Sequence, residues 1–593
     1  MQQHRPSSVI SQGPNQGESR GSRWLRPKKG RPEVKPGSVT GAARAGQRSR
    51  RRRLSLRAAL AVISGRAAGA FSRRLRLGGG TSIVGLVAQR LYPDIISHLA
   101  AQLEHGSVLV TGTNGKTTTS GFLAAILRDA GLRVWRNREG ANLLRGVAGA
   151  LVVRALPNGN LRRAGQAISV FEIDEAVMPQ AIRLLEPRAV VFVNLFRDQL
   201  DRYGEVESVA ARWRQMVKEL PETTALVLNA DDPTTASLGE QARGPVLYFG
   251  LEDLTLDLSG QDGQGTPGTH QVVDSRSCVR CGSDYHYSAR FYSHMGHYQC
   301  PHCGLERPSP VVRALHVRQD TFDRLRVTVE TPTQLGEIVI PLPGLYNVYN
   351  ALAAITAAQA LGISWEPIVS GIEQFKPAFG RGERVQVAGR TLRLLLAKNP
   401  TGLNEVLRTL FSEGTPRHVL FVLNDHIADG RDVSWIWDVD FERAKGLTAS
   451  LTVAGSRAFD LALRLKYAGF APEEMTLIPS TPLRALEELT GSQPPGRKGK
   501  GRGRGRRQLP ERQAAAMMTS SAATPSAEEQ TTSLREMAVS FPGYGLAAAL
   551  EQAIEQTPAG ETLFIVPTYT GLLEIHRELE RRGLTPHYWE GRD

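Results

Sequence analysis

The sequence predicts an α/β protein of at least two domains with a largely parallel sheet. Three observations carry that reading. From Ser107 onward, short apolar runs alternate with segments of helical periodicity, the pattern of strands covered on both faces by crossover helices. A glycine-rich turn joins the first of those runs to the first such helix. A second strand-and-helix series begins near Gly380, and 593 residues exceed what one core can organise.

In order, residues 1–53 are rich in Arg, Gly, Ser, Pro and Gln, with RSRRRR at 48–53. That composition buries too little apolar surface to offset chain entropy, so a disordered basic tail is expected. From Leu54, LSLRAALAVISGRAAGAFSRRLRL sets apolar residues and arginines at helical spacing. It reads either as a helix packed on its own protein or as one lying on a membrane surface. SVLVTG, AISVFEI, AVVFVNLF, TALVLNA and PVLYFG then read as buried strands. GKTTTSGFLAAILRDAG and NVYNALAAITAAQALG read as helices that stop near glycine. TLRLLLAK, TGLNEVLRTLF, HVLFVLND, SLTVAG and TLFIVPTY make up the second series. A GRKGKGRGRGRR run followed by Ala, Ser, Thr and Glu interrupts it, and 491–535 is expected to be a disordered loop. The domain boundaries predicted are thus 54–379 and 380–593 after the tail.

The net charge is +15, but it is unevenly placed. Residues 1–77 hold 19 Lys+Arg against two acids, and 491–512 hold eight against one, leaving −9 for the rest. The body is acidic and its flanking segments basic. This disfavours a nucleic-acid protein, whose affinity rests on clustered phosphate contacts. The tails remain open to solvation, membrane proximity or nucleic acid. No apolar run reaches the length of a membrane span, and no signal-peptide pattern opens the chain. Four cysteines do not suggest a secreted disulfide scaffold, so a cytoplasmic protein is expected.

Two stretches carry chemistry. VLVTGTNGKTTT at 108–119 puts the turn where backbone N–H groups and a helix N-terminus can cradle phosphate. Lys116 can neutralise transferring charge and Thr117 can hold Mg²⁺. The spacing departs from the usual phosphate loop, since Val110 stands where the first glycine belongs and Gly112 comes late. A plain turn with a chance GKT is the alternative. Cys278-x2-Cys281 and Cys300-x2-Cys303, separated by 18 residues, fit a closed four-thiolate Zn²⁺ site in a ribbon over 275–306. Such a site is structural, because it leaves no open position. His286, His294, His297 and His302 beside it read as surface residues more than as ligands.

GTNGKTTT resembles the ATP loop of the Mur ligase family, which joins an amine to a carboxylate through an acyl phosphate. Further pieces follow in the family's order. The resemblance implies ATP contacts at Gly112, Thr113, Asn114, Gly115, Lys116, Thr117 and Thr118. It implies Mg²⁺ on Glu172 of FEIDE in preference to Glu175. NLFRDQLDRYG at 194–204 is similar to a family stretch in which Gln199 replaces a His. NADDP at 229–233 also follows a strand. In GLYNVYNALAA, Asn347 and Asn350 match an adenine-contacting element, while Tyr346 replaces its His. GRGER, with Arg381, marks the turn into the last domain. Amino-acid-adding members carry a metal-bridging Lys where this chain has AARWRQ. That departure counts against an amino-acid-adding ligase, the enzyme alternative; a zinc-containing nucleic-acid ATPase is the other.

LAKNPTGLNEVL at 396–407, LNDHIADGRDVSWIWDVDFE at 423–442 and VPTYTGLL at 566–573 resemble the MurT branch, as do the ribbon's position and the spacing at 138–142. That resemblance implies a heterodimer with a class I glutaminase of the GatD type. The pair would amidate the α-carboxylate of D-glutamate in the lipid II stem peptide to D-isoglutamine at the inner membrane face. It implies a catalytic part for Asp432 at the subunit junction, either orienting the partner's His or positioning ammonia. A turn in which aspartates cap and tryptophans fill a core remains the plain reading of DGRDVSWIWD. All four cysteines are committed to the ribbon, so ammonia must come from a partner.

Overall fold

The computed structural model describes residues 41–74, 81–137, 140–197, 206–258, 275–377, 380–480 and 544–585, side chains excepted at 41–55, 81 and 381. The chain divides into two units, Met1–Arg53 and Leu54–Asp593. In the first, residues 41–53 are not structureless as expected, because they begin the helix Gly41–Arg74. Alanine and arginine are both good helix formers, and no proline follows Pro36 in this stretch. The insertion at 491–535, Gln199 and Arg138–Glu139 lie outside the described residues.

In chain order the second unit forms β1 (Ser107–Thr111), β2 (Arg133–Trp135), β3 (Ala167–Glu172), β4 (Ala189–Phe192), β5 (Ala225–Asn229) and β6 (Val246–Leu251). There follow β7 (His286–Tyr292), β8 (Met295–Gln299), β9 (Val312–Thr321), β10 (Arg324–Glu330) and β11 (Leu335–Ile340). Nine of them make one sheet, ordered β11-β10-β9-β6-β5-β4-β1-β3-β2. It is parallel from β2 to β9 and ends in an antiparallel meander. Successive strand residues face opposite sides: Val108 and Val110 join the core beneath the helices Lys116–Asp129 and Leu345–Ala360, whereas Leu109 joins the other. β1 lies between β3 and β4, where the chain's direction of travel across the sheet reverses. The crevice beyond strand C-termini at such a point is where ligands bind in open α/β sheets.

A second sheet contains β12 (Arg381–Val387), β13 (Arg390–Leu395), β14 (Arg417–Val422), β15 (Thr448–Gly455), β16 (Thr476–Pro479) and β17 (Thr562–Pro567). Its order is β12-β13-β17-β14-β15-β16, parallel except for the β12–β13 hairpin. Helix Pro400–Phe411 packs on one face and helices Leu546–Glu555 and Tyr569–Arg581 on the other. No helix among the described residues is long and apolar enough to cross a membrane.

The β7–β8 hairpin is built into the first domain's core. Ala289, Phe291, Tyr292 and Met295 are buried in the same cluster as β1 and helix Leu345–Ala360. At its turn His294 is 0% exposed, contrary to the surface position expected for these histidines. Its ring centroid lies 4.9 Å from that of Phe196, the planes tilted by 53°, and its Nε2 lies 3.4 Å from Asp232 Oδ1. Burial pushes the Asp232 carboxyl up, but His294 and the Thr235 and Leu195 donors outweigh it and hold the pKa below its ordinary value.

Candidate functional site: a phosphate loop held by two domains

The loop leaves β1 at its C-terminal end and enters helix Lys116–Asp129 through Gly115. Gly115 has φ 83°, and a Cβ there would fall 2.0 Å from Asn350 Oδ1, so only glycine serves. Lys116 is buried, and its Nζ donates to Glu175 Oε1 at 2.5 Å and to the carbonyl of Gly112. Burial pushes the Glu175 carboxyl up, against the opposing pull of Lys116. The ammonium is thereby held over the loop before any phosphate arrives. Thr117 Oγ1 donates to Glu172 Oε2 at 2.7 Å, and both side chains are buried. Asn137 clamps the Glu172 backbone, accepting from its N–H at 3.0 Å and donating to its carbonyl at 2.8 Å. Two hard oxygens so placed fit Mg²⁺, which prefers a carboxylate together with phosphate and water oxygens.

The structure thus brings Gly112, Thr113, Asn114, Gly115, Lys116, Thr117, Thr118 and Glu172 together at one crevice. Thr113 Oγ1 donates to the Phe196 carbonyl at 3.0 Å and accepts from its N–H at 2.9 Å. Asn114 N–H donates to Asn194 Oδ1 at 2.9 Å. Asn350 accepts from Thr119 Oγ1 at 3.3 Å and donates to Asn347 Oδ1 at 3.0 Å, bracing the loop from behind. Arg381 begins β12, and its side chain lies outside the described residues.

Residue typing alone did not single out Asn399. Its amide exchanges two hydrogen bonds with that of Asn114, at 3.2 and 3.1 Å, so the second sheet's domain touches the phosphate loop. Asn399 also caps helix Pro400–Phe411, accepting from Gly402 N–H at 2.8 Å. The Asn-Pro pair before an apolar period was the visible signal for that cap; its second partner was not visible. On the same helix Asn404 donates to the Asp438 carbonyl at 3.3 Å and accepts from Asp440 N–H at 2.8 Å, and Arg408 Nη1 donates to the Phe291 carbonyl of the β7–β8 hairpin at 2.6 Å. One helix therefore touches the loop, the DGRDVSWIWD segment and the ribbon.

In that segment Asp429 is buried and accepts from Thr570 N–H at 2.8 Å and from its hydroxyl; burial pushes its carboxyl up. Ile436 is buried, with Trp435 and Trp437 packed on the same core. Asp438 pairs with Arg197 at 2.6 Å, tying the segment to the residue that follows Phe196. Asp432 differs from these. It is exposed, with Oδ1 accepting from Ser434 N–H at 2.8 Å. The plain reading of the stretch holds for Asp429 and the tryptophans, and Asp432 is placed at the surface.

The four cysteine sulfurs lie within 4.8 Å of one another, the single group of its kind among the described residues. Cys278 and Cys303 are 3.6 Å apart, Cys281 and Cys300 3.4 Å. Tetrahedral thiolates around zinc at ~2.3 Å stand about 3.8 Å apart. The two CxxCG turns repeat each other: Gly282 N–H donates to Cys278 O at 2.8 Å, and Gly304 N–H to Cys300 O at 3.0 Å. The cluster fits a structural metal.

A doubly covered parallel sheet, a phosphate loop at its switch point and a second α/β domain closing on that loop define a ligase of the Mur type. Residues 110–278 match the Mur ligase middle domain, and 396–494 match the MurT ligase C-terminal domain. The lipid II isoglutaminyl synthase (glutamine-hydrolyzing) subunit MurT of Streptococcus pneumoniae is 32% identical over 424 residues, 71% of this chain and 90% of that one. The subunit of the same name from Staphylococcus aureus is 33% identical over 415 residues, covering 69% and 86%. A solved pseudomurein peptide ligase type C from Methanothermus fervidus shares the fold, with a TM-score of 0.51 at 22% identity over 80% of this chain and 79% of that one. The chain belongs to the Mur ligase family, in its MurT branch.

Proposed function

We propose that this chain is the ATP-using subunit of a glutamine-hydrolysing lipid II isoglutaminyl synthase. It amidates the D-glutamate α-carboxylate of the lipid II stem peptide in cell-wall synthesis. The observation that carries the proposal is the 32% identity across 90% of a MurT subunit, joined to a phosphate loop with its charged groups in place.

A carboxylate is a poor electrophile. ATP transfers its terminal phosphoryl group to the carboxylate oxygen and leaves as ADP. Ammonia then attacks the acyl carbon, the bond to phosphate breaks, and the surplus proton on nitrogen passes to the departing phosphate or to solvent. Gly112 to Thr118 bind the phosphates, and Lys116 offsets charge that builds on the transferring group. Thr117 and Glu172 would hold Mg²⁺, which would supply positive charge against the phosphate oxygens. Asn347 and Asn350 hold the loop on the adenine side, and the family resemblance adds Arg381 to the nucleotide's contacts. Zn²⁺ at Cys278, Cys281, Cys300 and Cys303 is structural.

Because all four cysteines lie in one cluster, this chain offers no thiol for glutamine hydrolysis. Ammonia comes from a class I glutaminase of the GatD type bound as a heterodimer. Exposed Asp432 meets that partner and acts at the junction. The complex works in the cytoplasm at the inner face of the membrane. The domains run 54–379, with the ribbon at 275–306, and 380–593. Co-expression with the glutaminase, followed by mass spectrometry of lipid II incubated with glutamine and ATP, tests the proposal. Amidated product is expected, and unchanged lipid II overturns it.

A further inference from the structure

We infer that the outward face of the helix between Leu56 and Arg74 is a membrane-docking surface that lies in the headgroup region of an anionic bilayer. The inference deepens the reading that the substrate is lipid-linked, but its evidence is the helix itself.

The helix is amphipathic in the opposite sense to a helix of a water-soluble protein. Ala58, Ala61, Val62, Gly65 and Gly69 face the protein and are buried, Val62 being the largest of them. A Cβ at Gly65 would come 2.8 Å from the Val84 carbonyl of helix Thr81–Leu91 and 3.3 Å from Ala88. Small residues therefore permit a close approach on this side. The large residues point away: Leu56 is 66% exposed, Leu60 57%, Ile63 51% and Phe71 65%. Spacings of four, three and eight set them on one stripe, which runs about 22 Å along the helix at 1.5 Å per residue. Helix Thr81–Leu91 adds Ile83 and Leu86, 39% and 42% exposed.

Charge selects the occupant. Between Glu33 and Asp94 there is no acidic residue at all. Arg57, Arg73 and Arg74 are exposed on the helix itself, and RSRRRR precedes it in sequence. Leucine, isoleucine and phenylalanine on one face with arginine around them is the composition of a helix that lies in a bilayer interface. Arginine draws it to anionic lipid and lets the apolar side chains sink beneath the headgroups. A nucleic-acid backbone would use the arginines and leave the stripe in water. The docked helix keeps the crevice of the same domain near the membrane-bound substrate.

The test is co-sedimentation of the full chain, with and without its glutaminase, on phosphatidylcholine vesicles with or without phosphatidylglycerol. Binding to the anionic vesicles alone is expected. The combined change Leu60→Ser, Ile63→Ser and Phe71→Ser should lower that partition at least tenfold with the melting temperature unchanged, since all three are exposed. As a check that does not depend on the triple variant's folding, Leu60→Trp should gain fluorescence quenching by brominated lipid. Three results overturn the inference: wild type that does not bind, a triple variant that binds equally well, or self-association without vesicles that the triple variant alone abolishes. Amidation of detergent-dispersed lipid II should be equal for wild type and triple variant. If neither amidates it, the proposed reaction fails while the vesicle result stands.

Discussion

The phosphate loop and the DGRDVSWIWD segment are organised in opposite ways. Around the loop, Lys116, Thr117, Glu172 and Glu175 are buried and already bonded to one another. Its geometry is complete within this chain. In the other segment Asp429, Asp438 and the tryptophans are tied down, and they hold out an exposed Asp432 whose Oδ1 takes one backbone N–H. On the proposed function the loop acts inside this subunit and Asp432 across an interface; the difference in burial suits that division, since a buried group is preorganised and an exposed one is open to a partner.

The largest effect should come from the loop. Lys116→Ala removes the one ammonium held among Gly112, Thr113 and Glu175. It leaves Glu175 buried without that partner. Removing a donor that acts on developing charge costs about 10²–10³ in kcat, and acyl-phosphate formation should fall by at least that much with either nitrogen source. A normal rate with ammonium chloride would sink the assignment.

Asp432→Asn should separate the two regions. Glutamine-driven amidation should drop about 100-fold, the scale typical of losing one acid–base or orienting group. Amidation driven by added ammonium salt should persist, because the loop does not use Asp432. Equal loss with both sources would mean that Asp432 acts on ammonia or the acyl phosphate instead of on the glutaminase.

The sequence already contained most of the loop and little of what holds it. Strand, turn and helix are local, and period and glycine placement suffice to find them. Asn347 and Asn350 came through the family resemblance, yet the visible work of Asn350 is to pack on Gly115 and Thr119, and Asn347 accepts from the Asn350 amide. The meander β9–β11 mixes buried residues with half-buried and exposed ones, a weaker signal than the continuous apolar runs of β1 or β4. His294 looked like a surface residue because nothing in CVRCGSDYHYSARFYSHMGHYQCPHCG says that its hairpin enters the core. Glu175 was ranked below Glu172 for metal; Thr117 meets Glu172 while Lys116 meets Glu175, a division only three dimensions reveal.

The ribbon sharpens the comparison next. Two of its cysteines precede β7 and two follow directly on β8, and the hairpin tip packs Tyr292 and His294 against Phe196, whose backbone bonds Thr113 of the loop. Cys300→Ser, or zinc removal by chelator, should lower the melting temperature by several degrees, a few kcal/mol in a unit of this size. It should also raise the KM for ATP severalfold, while pairing with the glutaminase is retained. Lost pairing at an unchanged melting temperature would make the ribbon a partner surface and not a strut.

The smallest effect, and the most discriminating, belongs to Asn399. It does two jobs at once: it caps helix Pro400–Phe411 through Gly402 N–H, and it exchanges amide bonds with Asn114. Asn399→Ala removes both and should cost about 1 kcal/mol of stability, the usual value of a lost cap, along with a rise in the KM for ATP. Asn399→Asp retains an oxygen for Gly402 and for the Asn114 amide, but cannot donate to Asn114 Oδ1. Stability should therefore return with aspartate while the KM stays raised, because the loop has lost half of its link to the second domain. If aspartate restores both, Asn399 is a helix cap and nothing more, and the phosphate loop is positioned by its own domain alone.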